Sequence, residues 1–373
     1  MARLTLVFSL LFVLLTGHVV LAGSSIFMPA LKARSNATTV DRRYFHATRD
    51  RSVGNRIPWA NRRIRYCFMS DAVTQAGKAK VKAALKDAHK LWQAKGLSSS
   101  FKIEEVNDKV CKDDRSNVLG ITYTGNTATS AMATYVGFPD SSVKYPADMG
   151  PSMRLTDRTN MGMLDVVANY AHELGHAWGL YHEHQNPKFW DGVRGSDSGQ
   201  VFGPTNPGGW NCHNLLDYQA RIVGPLVVQQ GGGRTTQLGS QQLCQSAALA
   251  LQYQFSAYDY LPTPGVGDSH SNGHGANDVD WQSLMIYPSG AGAVQQGYND
   301  DDANPDLRAR ILQKHDGSRI PINLFPSALD VAALNAFYTN EEPLKLSLLN
   351  SVIGFKKVFK ESNSGPSGGS GCL

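Results

Sequence analysis

Three features of the 373-residue sequence predict an α+β fold. Stretches with the period-two alternation of strands cluster between Arg62 and Leu155, broken by one long stretch of helical periodicity from about Ser70 to Lys95. A second helical stretch repeats apolar residues at Leu164, Val167, Ala168, Ala171, Leu174 and Trp178. Beyond Trp190 the chain turns rich in Gly, Ser, Gln and Asn, as in Gly231-Gly232-Gly233.

The chain opens with Arg3, an apolar run from Leu4 to Leu15, and small residues around Ala22. This is the pattern of a removable secretory signal over residues 1–22. The alternative is a membrane anchor, but Gly17 and His18 interrupt the run, and its apolar part falls short of the ~20 residues a spanning helix requires. No later stretch is long and apolar enough to span, so a secreted, extracellular protein is expected. Residues 23–55 are polar and Arg-rich, which fits a pro-segment, with Arg42-Arg43 and Arg49-Asp50-Arg51 as candidate processing sites. Asn36-Ala37-Thr38 is a glycosylation sequon.

Export to an oxidising compartment bears on the five cysteines, none of which forms a C-x-x-C pair. Pairing within local units, Cys67 with Cys111 and Cys212 with Cys244, is the expected arrangement, and it leaves Cys372 odd; spacing alone does not fix connectivity.

The folded part begins near Trp59. Arg62 to Met69 reads as a strand, and Ser70-Asp71 as the cap of a helix through about Lys95, with Val81, Ala84, Leu85, Ala88, Leu91 and Trp92 on one face. Ser100 to Val106, Val118 to Tyr123, the stretch at Ser130 to Phe138 and Met153 to Leu155 read as further strands.

The chemistry concentrates in His172 to Glu183, HELGHAWGLYHE. His172 and His176, four apart on a helix, project from one face and can offer two imidazoles to one ion. Gly179 is free to take positive φ and end the helix, which brings His182 back as a third ligand. Three neutral imidazoles leave one tetrahedral position of a zinc ion for water, the open arrangement of a catalytic site. Glu173, beside the first ligand, is then placed to act as general base. One Zn2+ per chain is the expected cofactor.

HExxHxxGxxH over these residues resembles the zinc signature of the metzincin metallopeptidases, and Glu183 directly after the third histidine is similar to the astacin family. Asp280 to Tyr287, DWQSLMIY, resembles the astacin stretch that carries the methionine turn, with Met285 as the turn methionine. The resemblance places Tyr287 where astacins have a tyrosine that can ligate zinc and swing away to stabilise the transition state. It implies a zincin/metzincin catalytic domain at 56–340: a twisted, mostly parallel N-terminal sheet with two long helices, an active-site cleft and a less regular C-terminal lobe. It also implies that a peptide substrate adds as a strand to the sheet edge, for which Ala131 to Val136 sits correctly in chain order. Glu183 would pair with the mature N-terminus in this family; a plain structural carboxylate is the alternative. The inhibitory aspartate of astacin pro-segments has no clear copy here, Asp41 and Asp50 being the candidates.

The sequence departs from the family between about 190 and 278, an insertion where two helical stretches, about Leu215 to Gln230 and Gln241 to Tyr258, are expected to form a hairpin held by Cys212 and Cys244. Gln185-Asn186-Pro187 follows His184 without the Arg and Asp residues customary in the downstream part of the family's motif. His184, His213, His270 and His274 are further histidines, of which the loop pair is expected to be solvated rather than metal-binding. Ser327 is the expected cap of a closing helix over Val331 to Tyr338. Residues 341–373 form an extension, with Leu344 to Lys360 either a packed or a membrane-surface helix, and then a Gly- and Ser-rich tail.

A net charge of +5, dispersed and without a basic stripe interleaved with aromatics, implies no nucleic-acid partner. The expectation is therefore a secreted, monomeric zinc endopeptidase acting on peptide or protein substrates, with a secreted, zinc-stabilised, non-catalytic binding protein as the competing class.

Overall fold

The computed structural model describes residues 45–47, 56–69, 73–126, 131–139, 150–190, 201–203, 209–222, 226–230, 234–262, 267–269, 275–293, 306 and 308–339. The expected signal, sequon, processing sites, Asp41, Asp50, His270, His274, Cys372 and the C-terminal extension lie outside the described residues. The chain divides into a body that runs to Phe337 and a unit from Tyr338 onward.

The architecture mixes a sheet with helices. Strands β1 (Arg63–Phe68), β2 (Lys102–Glu105), β3 (Leu119–Tyr123), β4 (Ala133–Thr134) and β5 (Ser152–Leu155) form one sheet in the order β2-β1-β3-β5-β4. The first four neighbours pair in parallel, and β4 lies antiparallel on β5, Ala133 opposite Arg154, as the edge strand. Parallel neighbours need crossovers. Helix α1 (Gln75–Ala94) supplies the one between β1 and β2.

Helix α1 starts four residues later than the sequence suggested. Thr74, not Ser70-Asp71, is its cap, the hydroxyl accepting from the Gly77 amide at 3.1 Å. Thr74 thus caps the first turn, and Val81, Leu85, Ala88 and Trp92 are buried while Ala84 and Leu91 are half-buried. Against this face packs α2 (Val166–Trp178), capped by Asp165, whose carboxylate accepts from Ala168 N at 2.9 Å. Every residue of α2 from Ala168 on is buried, so it is enclosed rather than amphipathic, and Leu164 lies before it at φ 66°.

Between the two helices Trp178 meets Trp92 and Phe101 edge-on, with ring centroids 5.9 and 5.7 Å apart. The Trp92 indole donates to Ala171 O at 2.8 Å, and that of Trp59 to Ala177 O at 2.7 Å. Each such ring contributes roughly 1.5–3 kcal/mol through burial alone, and the indole hydrogen bonds fix the register of α2. The site-bearing helix is thereby held on both sides.

Cys67–Cys111 staples β1 to the short helix Asp108–Asp113, and Cys212–Cys244 closes a loop beyond Trp190. In that second region the expected helical hairpin is absent. Tyr218–Ile222 is a short helix, but Leu226–Gln230 and Arg234–Leu238 pair antiparallel as a β-hairpin. The second stretch breaks into Ser240–Leu243, Ala247–Gln252 and a 3-10 turn at Ser256–Asp259. β-Branched Val227, Val228, Thr235 and Thr236 flank three glycines, and that chemistry favours strands and a turn over a helix. Phe45–Ala47, inside the expected pro-segment, pairs antiparallel with Gly267–Ser269. Helix α3 (Ala328–Thr339) begins three residues earlier than expected, with Ser327 accepting from Asp330 N at 2.9 Å.

Candidate metal centre

α2 ends at Gly179, whose φ of 122° and whose amide, bonded to Gly175 O and His176 O, turn the chain back. A side chain there would also meet the Phe337 ring at 2.5 Å. The turn returns His182 to the face carrying His172 and His176. Their Nε2 atoms stand 3.1 Å (His172 to His176), 2.9 Å (His176 to His182) and 3.2 Å (His172 to His182) apart.

The opposite nitrogens decide what those three atoms are. His172 Nδ1 lies 2.8 Å from Leu284 O, His176 Nδ1 2.7 Å from Leu180 O, and His182 Nδ1 2.8 Å from Gln185 Oε1. Carbonyl oxygens only accept, so each Nδ1 carries the proton and each Nε2 presents a lone pair. Burial lowers the pKa of His172 to about 4. It pushes His176 and His182 well below the usual histidine range, with neighbouring imidazoles adding to the effect. Three neutral lone pairs converging in a dry site repel one another unless a cation draws them together. Tetrahedral zinc with bonds of about 2.0–2.1 Å holds its nitrogen ligands about 3.3–3.4 Å apart, close to the spacing found. The donor set fits zinc, and no other group of three such ligand residues converges among the described residues.

Glu173 is buried, and burial raises its pKa to about 8, countered by the Thr134 hydroxyl that donates to its Oε2 at 2.5 Å and reinforced by Asp259. Thr134 belongs to the edge strand β4, so the sheet edge and the carboxylate beside the first histidine are joined directly.

Below the histidines runs the Asp280 to Tyr287 stretch. Leu284 O holds His172, and Met285 packs its sulfur against Gly175, where an added Cβ would lie 2.5 Å from it. Met285 N donates to Ser283 Oγ at 2.8 Å, and Met285 O accepts from Glu183 N at 3.0 Å. Asp330 pins this turn to the start of α3, accepting from Ser283 Oγ at 2.6 Å and Leu284 N at 2.8 Å. Glu183 is buried, and its Oε1 accepts from Asp280 N at 3.4 Å.

Tyr287 is fully buried, its ring centroid 4.3 Å from that of His182, 4.4 Å from His184 and 6.0 Å from His172. His184 is spent on the backbone: Nε2 donates to Asp259 O at 3.1 Å, and Nδ1 accepts from Tyr287 N at 3.4 Å. It therefore has no nitrogen left for a metal. His213 is exposed. Thr134, Gln185 and Asp330 are site partners to which the sequence reading gave no such role. Their contacts are made across 39 residues, across the His182 turn, and across 46 residues respectively, and no local pattern announces the first or the last.

No family model matches this chain, and no curated protein matches it in sequence. Among solved structures it is similar to high choriolytic enzyme 1, a hatching-enzyme zinc protease from the medaka fish Oryzias latipes. The identity is 15%, the match covers 79% of this chain and 98% of that one, and the TM-score is 0.37.

Proposed function

We propose that this chain is a secreted, astacin-like zinc endopeptidase with a signal at 1–22, a pro-segment at 23–55 and a catalytic domain at 56–340. The observation that supports it is the convergence of three Nε2 lone pairs at 2.9–3.2 Å, with Glu173 on the same helix. His172, His176 and His182 would hold the metal. Zinc, when bound, polarises a water molecule and the scissile carbonyl.

The chain's own residues do the rest. Glu173 takes the proton of the attacking water and delivers it to the leaving amine. Thr134 holds one Glu173 oxygen and leaves the other for that proton. Tyr287, beside His182, donates its phenol to the oxyanion as charge develops. Edge strand β4 offers main-chain groups to an extended peptide, which favours broad substrates chosen by side-chain pockets.

The test is hydrolysis of a denatured general protein substrate by the mature enzyme, with and without a chelator. Cleavage that the chelator stops and Glu173→Gln abolishes, with zinc retained, is the expected result. Zinc retention without cleavage in the parent protein would instead favour a binding protein on the same scaffold, and full activity in Glu173→Gln would remove the proton transfer from the mechanism.

A further inference from the structure

Two of the three imidazoles are held at Nδ1 by main-chain carbonyls, whereas His182 is held by a side chain, that of Gln185. The surroundings fix which way this buried amide points. Its nitrogen lies 3.3 Å from Tyr258 O and 3.2 Å from Leu261 O, and both of those atoms only accept. The NH2 group must therefore face them, and Oε1 must face His182. An oxygen at 2.8 Å from Nδ1 requires the proton on Nδ1, which leaves Nε2 as the lone pair.

The next histidine grips the same stretch. His184 donates to Asp259 O, and Tyr260 packs its ring 5.8 Å from His184 and 5.2 Å from Tyr287. Consecutive residues after the third imidazole thus clamp Tyr258 to Leu261, a stretch that belongs to the insertion. We propose that Gln185 is a positioning residue through which this inserted stretch sets the tautomer and place of the third zinc ligand. The proposal rests on the zinc-site reading above.

Loss of such a partner weakens metal binding by about 10–100-fold. The experiment measures zinc affinity of the full chain by competition with a chromophoric chelator, alongside amide hydrogen exchange over 256–262. Gln185→Met keeps the length of the side chain but removes acceptor and donors, and should weaken zinc by about 10–100-fold. Gln185→Glu keeps an acceptor for His182 yet sets carboxylate lone pairs against Tyr258 O and Leu261 O. It should hold zinc within about threefold of the parent while exchange over 256–262 speeds up about tenfold or more.

A residue that only fills space would not split the two readouts. Parent-like zinc affinity in Gln185→Met overturns the proposal, as does an equal loss in both variants. Should Gln185→Met fail to fold, the parent protein decides: nitrogen NMR of the metal-free chain should show His182 protonated at Nδ1, and the Nε2–H tautomer overturns the proposal. A parent chain that takes up no zinc speaks against the metallopeptidase reading, and the NMR tautomer still judges Gln185.

Discussion

Replacing Gly175 by alanine sets two effects of known size against each other. Gly175 lies inside α2, one residue before His176, where glycine costs about 0.8–1 kcal/mol relative to alanine in an open helix. In isolation the substitution would stabilise. The new Cβ, however, would stand 2.5 Å from Met285 Sδ, 3.0 Å from Trp92 Cζ2 and 3.2 Å from Met285 Cε. Met285 is buried, so its flexible thioether would have to repack inside the core, and Trp92 is tied to Ala171 O. Overpacking of this kind costs about 1–3 kcal/mol. The steric term wins, for a net loss of about 0–2 kcal/mol, or a fall in Tm of up to about 8 °C for a domain of this size. Because Leu284 O, the partner of His172, immediately precedes Met285, zinc affinity should fall as well. Thermal unfolding with and without zinc, in a cycle with Met285→Ala, is the assay; the double variant should recover part of the loss. A single variant more stable than the parent by the full helix term, with unchanged zinc affinity, would refute the packing of Met285 under the helix.

Three further predictions concern the site. Thr134→Val should lower kcat/KM and move the acidic limb of the pH profile upward, because the threonine hydroxyl holds the Glu173 pKa down; an unmoved limb contradicts the contact. Tyr287→Phe should cost about 10²–10³ in kcat, the price of one oxyanion donor, with zinc affinity intact; a parent-like rate removes the phenol from the mechanism. In the metal-free protein His172 should stay neutral well into acid. Burial lowers its pKa from about 6.5 unfolded to about 4 folded, so its share of stability is present above pH 6.5 and is lost as pH falls from there through 4. NMR titration of the His172 ring between pH 7 and pH 4 reads this group alone, and a midpoint near 6.5 would count against a buried neutral imidazole.

The site was legible in the sequence wherever its geometry is local. A four-residue step puts His172 and His176 on one face, and a glycine at the right distance returns His182, so helix periodicity and backbone freedom suffice. Ser327 likewise announces α3 because a cap bonds within three residues. What stayed hidden depends on residues far apart in the chain. Thr134 meets Glu173 only once the sheet edge lies along α2, and Asp330 meets Leu284 only once the chain has closed. The strands at 226–230 and 234–238 escape the sequence pattern for a different reason. Val227, Val228, Thr235 and Thr236 are β-branched and flank three glycines, and strand preference with turn chemistry outweighs helical spacing in such short stretches.

The proposed activity depends on three imidazole nitrogens closing on one ion. Metal analysis of the purified chain, combined with X-ray absorption at the zinc edge, tests it most directly. One zinc per chain with three imidazole nitrogens at about 2.0–2.1 Å, lost on His182→Ala, is the predicted result. A chain without stoichiometric metal, or a zinc bound by cysteine sulfur or fewer than three imidazoles, would contradict it.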